Sequence, residues 1–155
     1  MIYGLSQTFG WGEYEHFVRE IGKTIKRPKA DVFNIMRYLA IKSAHEVNKP
    51  DNIFFYYHYE PYGEWWEKSK QYITPIKVDP PKEIFGNPVE SYAHQADVIR
   101  LQVLIEEGGI YLDSDTLCLK PFKPLLDKGG FIIGQEGYNS TKLCNAILLS
   151  EKNSE

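Results

Sequence analysis

The run Gly108-Gly109-Ile110-Tyr111-Leu112-Asp113-Ser114-Asp115 constrains this chain more than any other segment. The glycines stop a preceding helix, Ile110-Tyr111-Leu112 reads as a short buried strand, and Asp113 and Asp115 arrive where that strand runs out. In an open α/β sheet, ligands sit outside the carboxyl ends of the strands. Paired carboxylates there leave uncompensated charge unless a cation lies between them, and hard oxygen ligands suit Mg²⁺ or Mn²⁺. Asp-Ser-Asp is also good turn chemistry, so a solvated turn stands as the competing reading of the tripeptide.

The segment upstream bears on that choice. Val89 to Glu107 predicts a helix that ends at the two glycines. At 100° per residue, Gln95, Gln102 and Glu106 form a solvent face, and Ala93, Ala96, Leu101 and Leu104 an apolar one. Asp97 and Arg100 fall on the apolar side, three residues apart and so neighbours on the helix surface. Charges there are costly unless they pair with each other or face a polar site. A buried structural ion pair is one reading. A cavity shared with Asp113 is the other, because the helix feeds directly into that strand.

With 155 residues, 43% hydrophobic and 14% aromatic, the chain can bury a core as one domain, 1–155. A net charge of −3 with interspersed signs argues against nucleic acid as the main partner. No apolar stretch approaches the length of a membrane span, and the N-terminal residues show no signal-peptide pattern, so the expected location is cytoplasmic. Cys118 and Cys144 read as free thiols of a reducing compartment.

Strands and helices alternate along the chain. Met1 to Phe9 is a first strand candidate. Phe33 to Val47 predicts a helix with Asp31 as N-cap and an apolar stripe of Ile35, Leu39, Ala40, Ala44 and Val47. Ile53 to Tyr57 is an aromatic strand, Glu64 to Tyr72 a short helix, and Ile73 to Val78 a further strand ended by Pro80-Pro81. Beyond Asp115, Thr116 to Leu119, Phe131 to Ile133 and Ala146 to Leu149 are strand candidates. The pattern predicts an α/β fold with a mixed sheet.

Ala93-His94-Gln95-Ala96-Asp97-Val98-Ile99-Arg100, Leu104, the Gly108–Asp115 run and Lys120-Pro121-Phe122 together resemble the sugar-binding region of Asp-x-Asp glycosyltransferases, nearest to glycosyltransferase family 32. The resemblance extends more loosely from about Phe33 through Ser150. It implies a Rossmann-like glycosyltransferase-A fold, with a mixed, mainly parallel sheet flanked by helices. It also implies a metal-dependent transferase using a UDP- or GDP-sugar donor and a glycan or polysaccharide acceptor, with retention and with Mn²⁺ or Mg²⁺ as cofactor. By motif position Asp115 and Asp113 ligate the metal and are the catalytic pair. Asp97, Arg100, Tyr111, Gly109 and Asp113 contact the donor, although Tyr111 reads equally well as a core residue. Gly108 and Gly109 also serve helix termination and close backbone approach. Related enzymes often carry an asparagine near Asn145. They also continue past the equivalent of Glu155 into an acceptor-binding part, so the resemblance implies a truncated piece, a minimal enzyme or one part of a larger assembly.

Two other readings stand beside the transferase. One is a non-catalytic nucleotide-sugar or glycan-binding module. The other is a haloacid dehalogenase-type phosphatase, whose Asp-x-Asp opens its domain and is followed by Thr or Val where this chain has Leu117. Trp65 and Trp66 offer either a sugar platform or core packing, with core packing the simpler assignment. His45 and His58 lack metal-ligand spacing, and His94, adjoining the Asp97 face of the helix, reads as a polar neighbour rather than a ligand.

Overall fold

The computed structural model describes residues 2–5, 31–137 and 142–154. A six-stranded sheet carries the fold, built from β1 (Ile2–Leu5), β2 (Ile53–Tyr57), β3 (Thr74–Lys77), β6 (Gly109–Asp113), β7 (Phe131–Glu136) and β8 (Lys142–Ser150) in the order β3-β2-β1-β6-β8-β7. Neighbours from β3 to β6 pair in parallel, whereas β8 runs antiparallel to both β6 and β7. The helices are α1 (Ile35–Asn48), α2 (Glu64–Ser69), α3 (Tyr92–Glu107) and α4 (Lys123–Leu126). A small hairpin of β4 (Glu83–Ile84) and β5 (Asn87–Pro88), not anticipated from the sequence, follows Pro80-Pro81. The α/β class holds. Among the described residues no helix is long and apolar enough to cross a membrane.

Successive side chains of a strand point to opposite faces, and the core follows that alternation. Ile53, Phe55, Ile110, Leu112 and Leu149 join Phe33, Ile41, Ala44 and Trp66 in one cluster, beside α1 and α2. Tyr111 and Leu148 join Leu104, Ala96 and Ile99 of α3 in the other, with Phe54 and Tyr56 packed alongside. Trp66 is 1% exposed between Phe33 and Phe55, so core packing is its role.

Several local expectations are corrected. Asn34, not Asp31, caps α1: its side chain accepts from the Arg37 backbone N–H at 3.0 Å. The helix starts at Ile35 because Phe33 is drawn into the core and its N–H donates to the Tyr62 carbonyl. Asp31 instead pairs with the Arg37 guanidinium at 3.2 Å. The buried face of α1 is Ala40, Ile41 and Ala44, while Ile35 and Leu39 are exposed. α2 stops at Ser69, short of Tyr72, with the Ser69 hydroxyl donating to the Trp65 carbonyl at 2.7 Å. On α3 the inward stripe is Ala96, Ile99, Arg100, Val103 and Leu104, the 0, 3, 4, 7, 8 spacing of a helix face, which leaves Ala93 and Leu101 exposed. Of the first strand candidate, residues 6–9 and Met1 lie outside the described residues.

Thr116 to Leu119 is not a strand. The Thr116 N–H turns back to the Asp113 carbonyl at 3.0 Å, and the segment is held by side chains of α1 rather than by a ladder. Gly108 ends α3 at φ +66°, and a Cβ there would meet the Lys152 backbone nitrogen at 2.6 Å. Both requirements, left-handed backbone and close approach, call for glycine.

Candidate functional site

The site is organised around Arg100, which the i, i+3, i+4 stripe of α3 turns into the protein, leaving it 2% exposed. Its Nη1 donates to the Asn145 carbonyl at 2.6 Å and lies 3.5 Å from Asp113 Oδ1. Its Nη2 lies 3.2 Å from Asp97 Oδ1. The guanidinium carbon sits 4.5 Å above the Tyr111 ring, a cation–π contact. Nε is buried and has no partner among the described residues. One side chain therefore gathers α3, β6 and β8.

β6 ends by delivering Asp113 to that cluster. The Tyr111 hydroxyl donates to Asp113 Oδ1, the same oxygen that faces Arg100. Among the described residues both of these partners use Oδ1 rather than Oδ2. Burial, joined by the charges of Asp115 and Asp97, pushes the Asp113 carboxyl above its usual value, against the lowering effect of Tyr111 and Arg100. Burial is also the main cause that raises the Tyr111 phenol, followed by the charge of Asp113. Tyr111 is thus 1% exposed in the core, as its packing role expects, and its hydroxyl is spent on Asp113 rather than presented to a ligand.

Asp115 is exposed, two residues on and near enough that its charge acts on Asp113. Among the described residues no group of three or more His, Cys, Asp and Glu is placed to hold an ion. The donor set of the Asp113–Asp115 pair is nevertheless of the kind a hard divalent cation takes: the exposed Asp115 carboxylate and Asp113 Oδ2, which neither partner of Asp113 uses, carry charges that repel each other. Mg²⁺-like ions commonly take one or two carboxylates and complete their shell with phosphate oxygens and water. Gly109 is the expected contact that does not join the cluster. It opens β6 at the end opposite Asp113, roughly 13 Å away along the strand.

Asn145 is the clearest gain over the sequence reading, which gave it no definite role. Its side-chain amide donates to Asp97 Oδ1 at 2.9 Å while its carbonyl holds Arg100. It sits where β8 slips register against β7: Ile133 pairs with Leu148, but Gly134 pairs with Cys144. Such bulges re-aim groups next to active sites. The available signal was an asparagine, a poor strand former, inside a β-rich run. His94 is exposed, and His58 lies beside Tyr92 rather than in the cluster.

Residues 24–132 match the glycosyltransferase sugar-binding region containing DXD motif, a stretch that includes Asp97, Arg100, Asp113 and Asp115. The chain is 40% identical over 129 residues to glucan organizing enzyme 1 of Cryptococcus neoformans, covering 76% of this chain and 34% of that protein. It is 43% identical over 68 residues to subversion of eukaryotic traffic protein A of Legionella pneumophila, covering 42% of this chain and 10% of that one. It thus spans about a third of the length of the first relative and a tenth of the second. Among solved structures, PaToxG glycosyltransferase aligns with a TM-score of 0.49 at 18% identity, covering 99% of this chain and 54% of that one. A stretch exceeding half the chain carries the family pattern, and the chain belongs to the glycosyltransferase family defined by the DXD-containing sugar-binding region.

Proposed function

We propose that this chain binds a UDP- or GDP-sugar at the Asp113–Asp115 edge and transfers the sugar to a glycan or polysaccharide acceptor. The reading includes a glycosyltransferase-A arrangement of the family 32 type, retention at the anomeric carbon, and Mn²⁺ or Mg²⁺ bound by Asp113 and Asp115. The observation that carries it is the burial of Arg100 against Asp97, Asp113 and Asn145, immediately beside the carboxylate pair. A structural ion pair alone would not need the second, exposed carboxylate of Asp115. A cytoplasmic setting is part of the reading, and the free thiols Cys118 and Cys144 support it.

In this mechanism Asp97 accepts hydrogen bonds from donor-sugar hydroxyls, the charge-assisted kind that fixes orientation, while Arg100, sealed beneath it, orients Asp97 and Asp113 and supplies positive charge behind the site. The bulge residue Asn145 holds both groups in place, so the donor meets a set rather than a mobile grip. Asp113 and Asp115 would hold the divalent ion, which would supply positive charge against the leaving diphosphate. Tyr111 keeps Asp113 oriented from below. The retaining outcome rests on the family resemblance, and no side-chain nucleophile is assigned.

The test is consumption of UDP- and GDP-sugars, with and without a glycan acceptor, in metal-depleted and Mn²⁺-repleted protein. Metal-dependent donor turnover with a glycosylated product supports the assignment. Donor binding without transfer to any acceptor marks a binding module, and phosphate release from a simple phosphomonoester marks the phosphatase alternative.

A further inference from the structure

Residues 116–122 leave the carboxylate edge without regular structure, yet Cys118 in their midst is 5% exposed. Side chains of α1 account for this. Ser43 Oγ accepts from the Cys118 N–H at 2.9 Å, and Asn48 Oδ1 accepts from the Phe122 N–H at 2.9 Å. Both acceptors are themselves fixed: the Ser43 hydroxyl donates to the Ala40 carbonyl at 2.8 Å, and the Asn48 amide donates to the Ala44 carbonyl at 3.2 Å. Upstream, the Thr116 N–H is bound to the Asp113 carbonyl at 3.0 Å. Asp115 therefore sits in a short turn fastened to β6 on one side and to α1 on the other. Its own side chain is exposed and makes no ion pair among the described residues, so the backbone of the turn sets the region its carboxylate can reach.

We propose that Ser43 and Asn48 are positioning residues for Asp115, holding its carboxylate at the geometry a divalent cation needs. The inference rests on the metal-binding reading of Asp113 and Asp115 and adds two residues to it from another part of the chain. Small hard cations demand near-octahedral geometry, so a ligand on an untethered turn binds less well than one held in place. Partners bonded to a metal ligand itself typically govern metal affinity by about 10–100-fold, and a tether acting one step back, through the backbone of the turn, falls at the low end.

The test compares the wild type with Ser43→Ala, Asn48→Ala, the double variant and the conservative Ser43→Thr. Binding of Mn²⁺ alone is followed by water-proton relaxation, and amide hydrogen exchange is followed in parallel. The half-saturating Mn²⁺ concentration should rise about tenfold in the double variant and less in each single alanine, and Ser43→Thr should match the wild type. Protection at Cys118 and Phe122 should fall while β6 stays protected. If the double variant does not fold, the single variants carry the comparison. Unmoved Mn²⁺ affinity despite lost protection at Cys118 and Phe122 overturns the positioning role alone. A wild type that binds no Mn²⁺ overturns the reading of the carboxylates as well, so the two failures are distinguishable.

Discussion

Arg100 Nη1 donates to the main-chain carbonyl of Asn145 at 2.6 Å, fastening the middle of α3 to the bulge of β8. The bond joins residues 45 apart in the chain and brings the Asn145 side chain to Asp97 in the same stroke. A guanidinium so deeply placed serves the fold as well as the ligand, and the first prediction separates the two duties.

Arg100→Ala should lower unfolding stability by about 3 kcal/mol, because it empties the buried space over Tyr111 and leaves the partly buried Asp113 and the Asn145 carbonyl without their common partner. Chemical denaturation checks the value. A loss under about 0.5 kcal/mol, the scale of a surface substitution, would contradict the buried hub.

Asp113→Asn should raise the melting temperature of the metal-free protein while removing Mn²⁺-dependent donor binding. The folded chain holds this carboxyl above its usual pKa, chiefly through burial, so the ionised form is less favourable folded than unfolded at neutral pH. A neutral isostere relieves that cost. Differential scanning calorimetry at neutral pH reads the effect, and a clear drop in melting temperature contradicts it.

How much of this was legible in the chain depends on the range of the interaction. Gly108-Gly109 and the apolar run before Asp113 announce β6 locally, and Asp97 and Arg100 announce themselves as charges on an inward helix face. The caps and stripe phases depend on tertiary context: α1 starts two residues late because Phe33 is taken by the core. The segment after Asp115 reads as a strand from Leu117 and Leu119, yet its geometry is set by Ser43 and Asn48, more than seventy residues earlier. Asn145 acquires its role only once β8 bulges against β7. No local pattern encodes such pairings.

Trp66→Ala should cost about 3–5 kcal/mol, the price of emptying a large aromatic site in the core. Trp65→Ala should cost clearly less, since Trp65 is only partly buried against Tyr38. Urea unfolding of both variants decides it. Equal losses would remove the distinction between them.

Gly108→Ala should destabilise by about 2 kcal/mol through its left-handed backbone and the clash with the Lys152 nitrogen. Thermal unfolding measures this, and a wild-type melting temperature would refute the close approach.

Cys118 should resist alkylation in the native protein, because burial shuts it off and pushes its thiol pKa up, with Asn48 and Ser43 opposing only in part. Cys144, partly exposed, should label first. Timed iodoacetamide labelling read by mass spectrometry gives the order, and preferential Cys118 labelling would contradict the packed segment behind Asp115.

Isothermal titration of UDP- and GDP-sugars into metal-depleted and Mn²⁺-loaded protein, repeated with Asp115→Ala, tests the central claim most directly. The account predicts binding of at least one donor that requires Mn²⁺ in the wild type and is lost in a variant that stays folded. Donor binding of equal strength without metal, or in the variant, would contradict it.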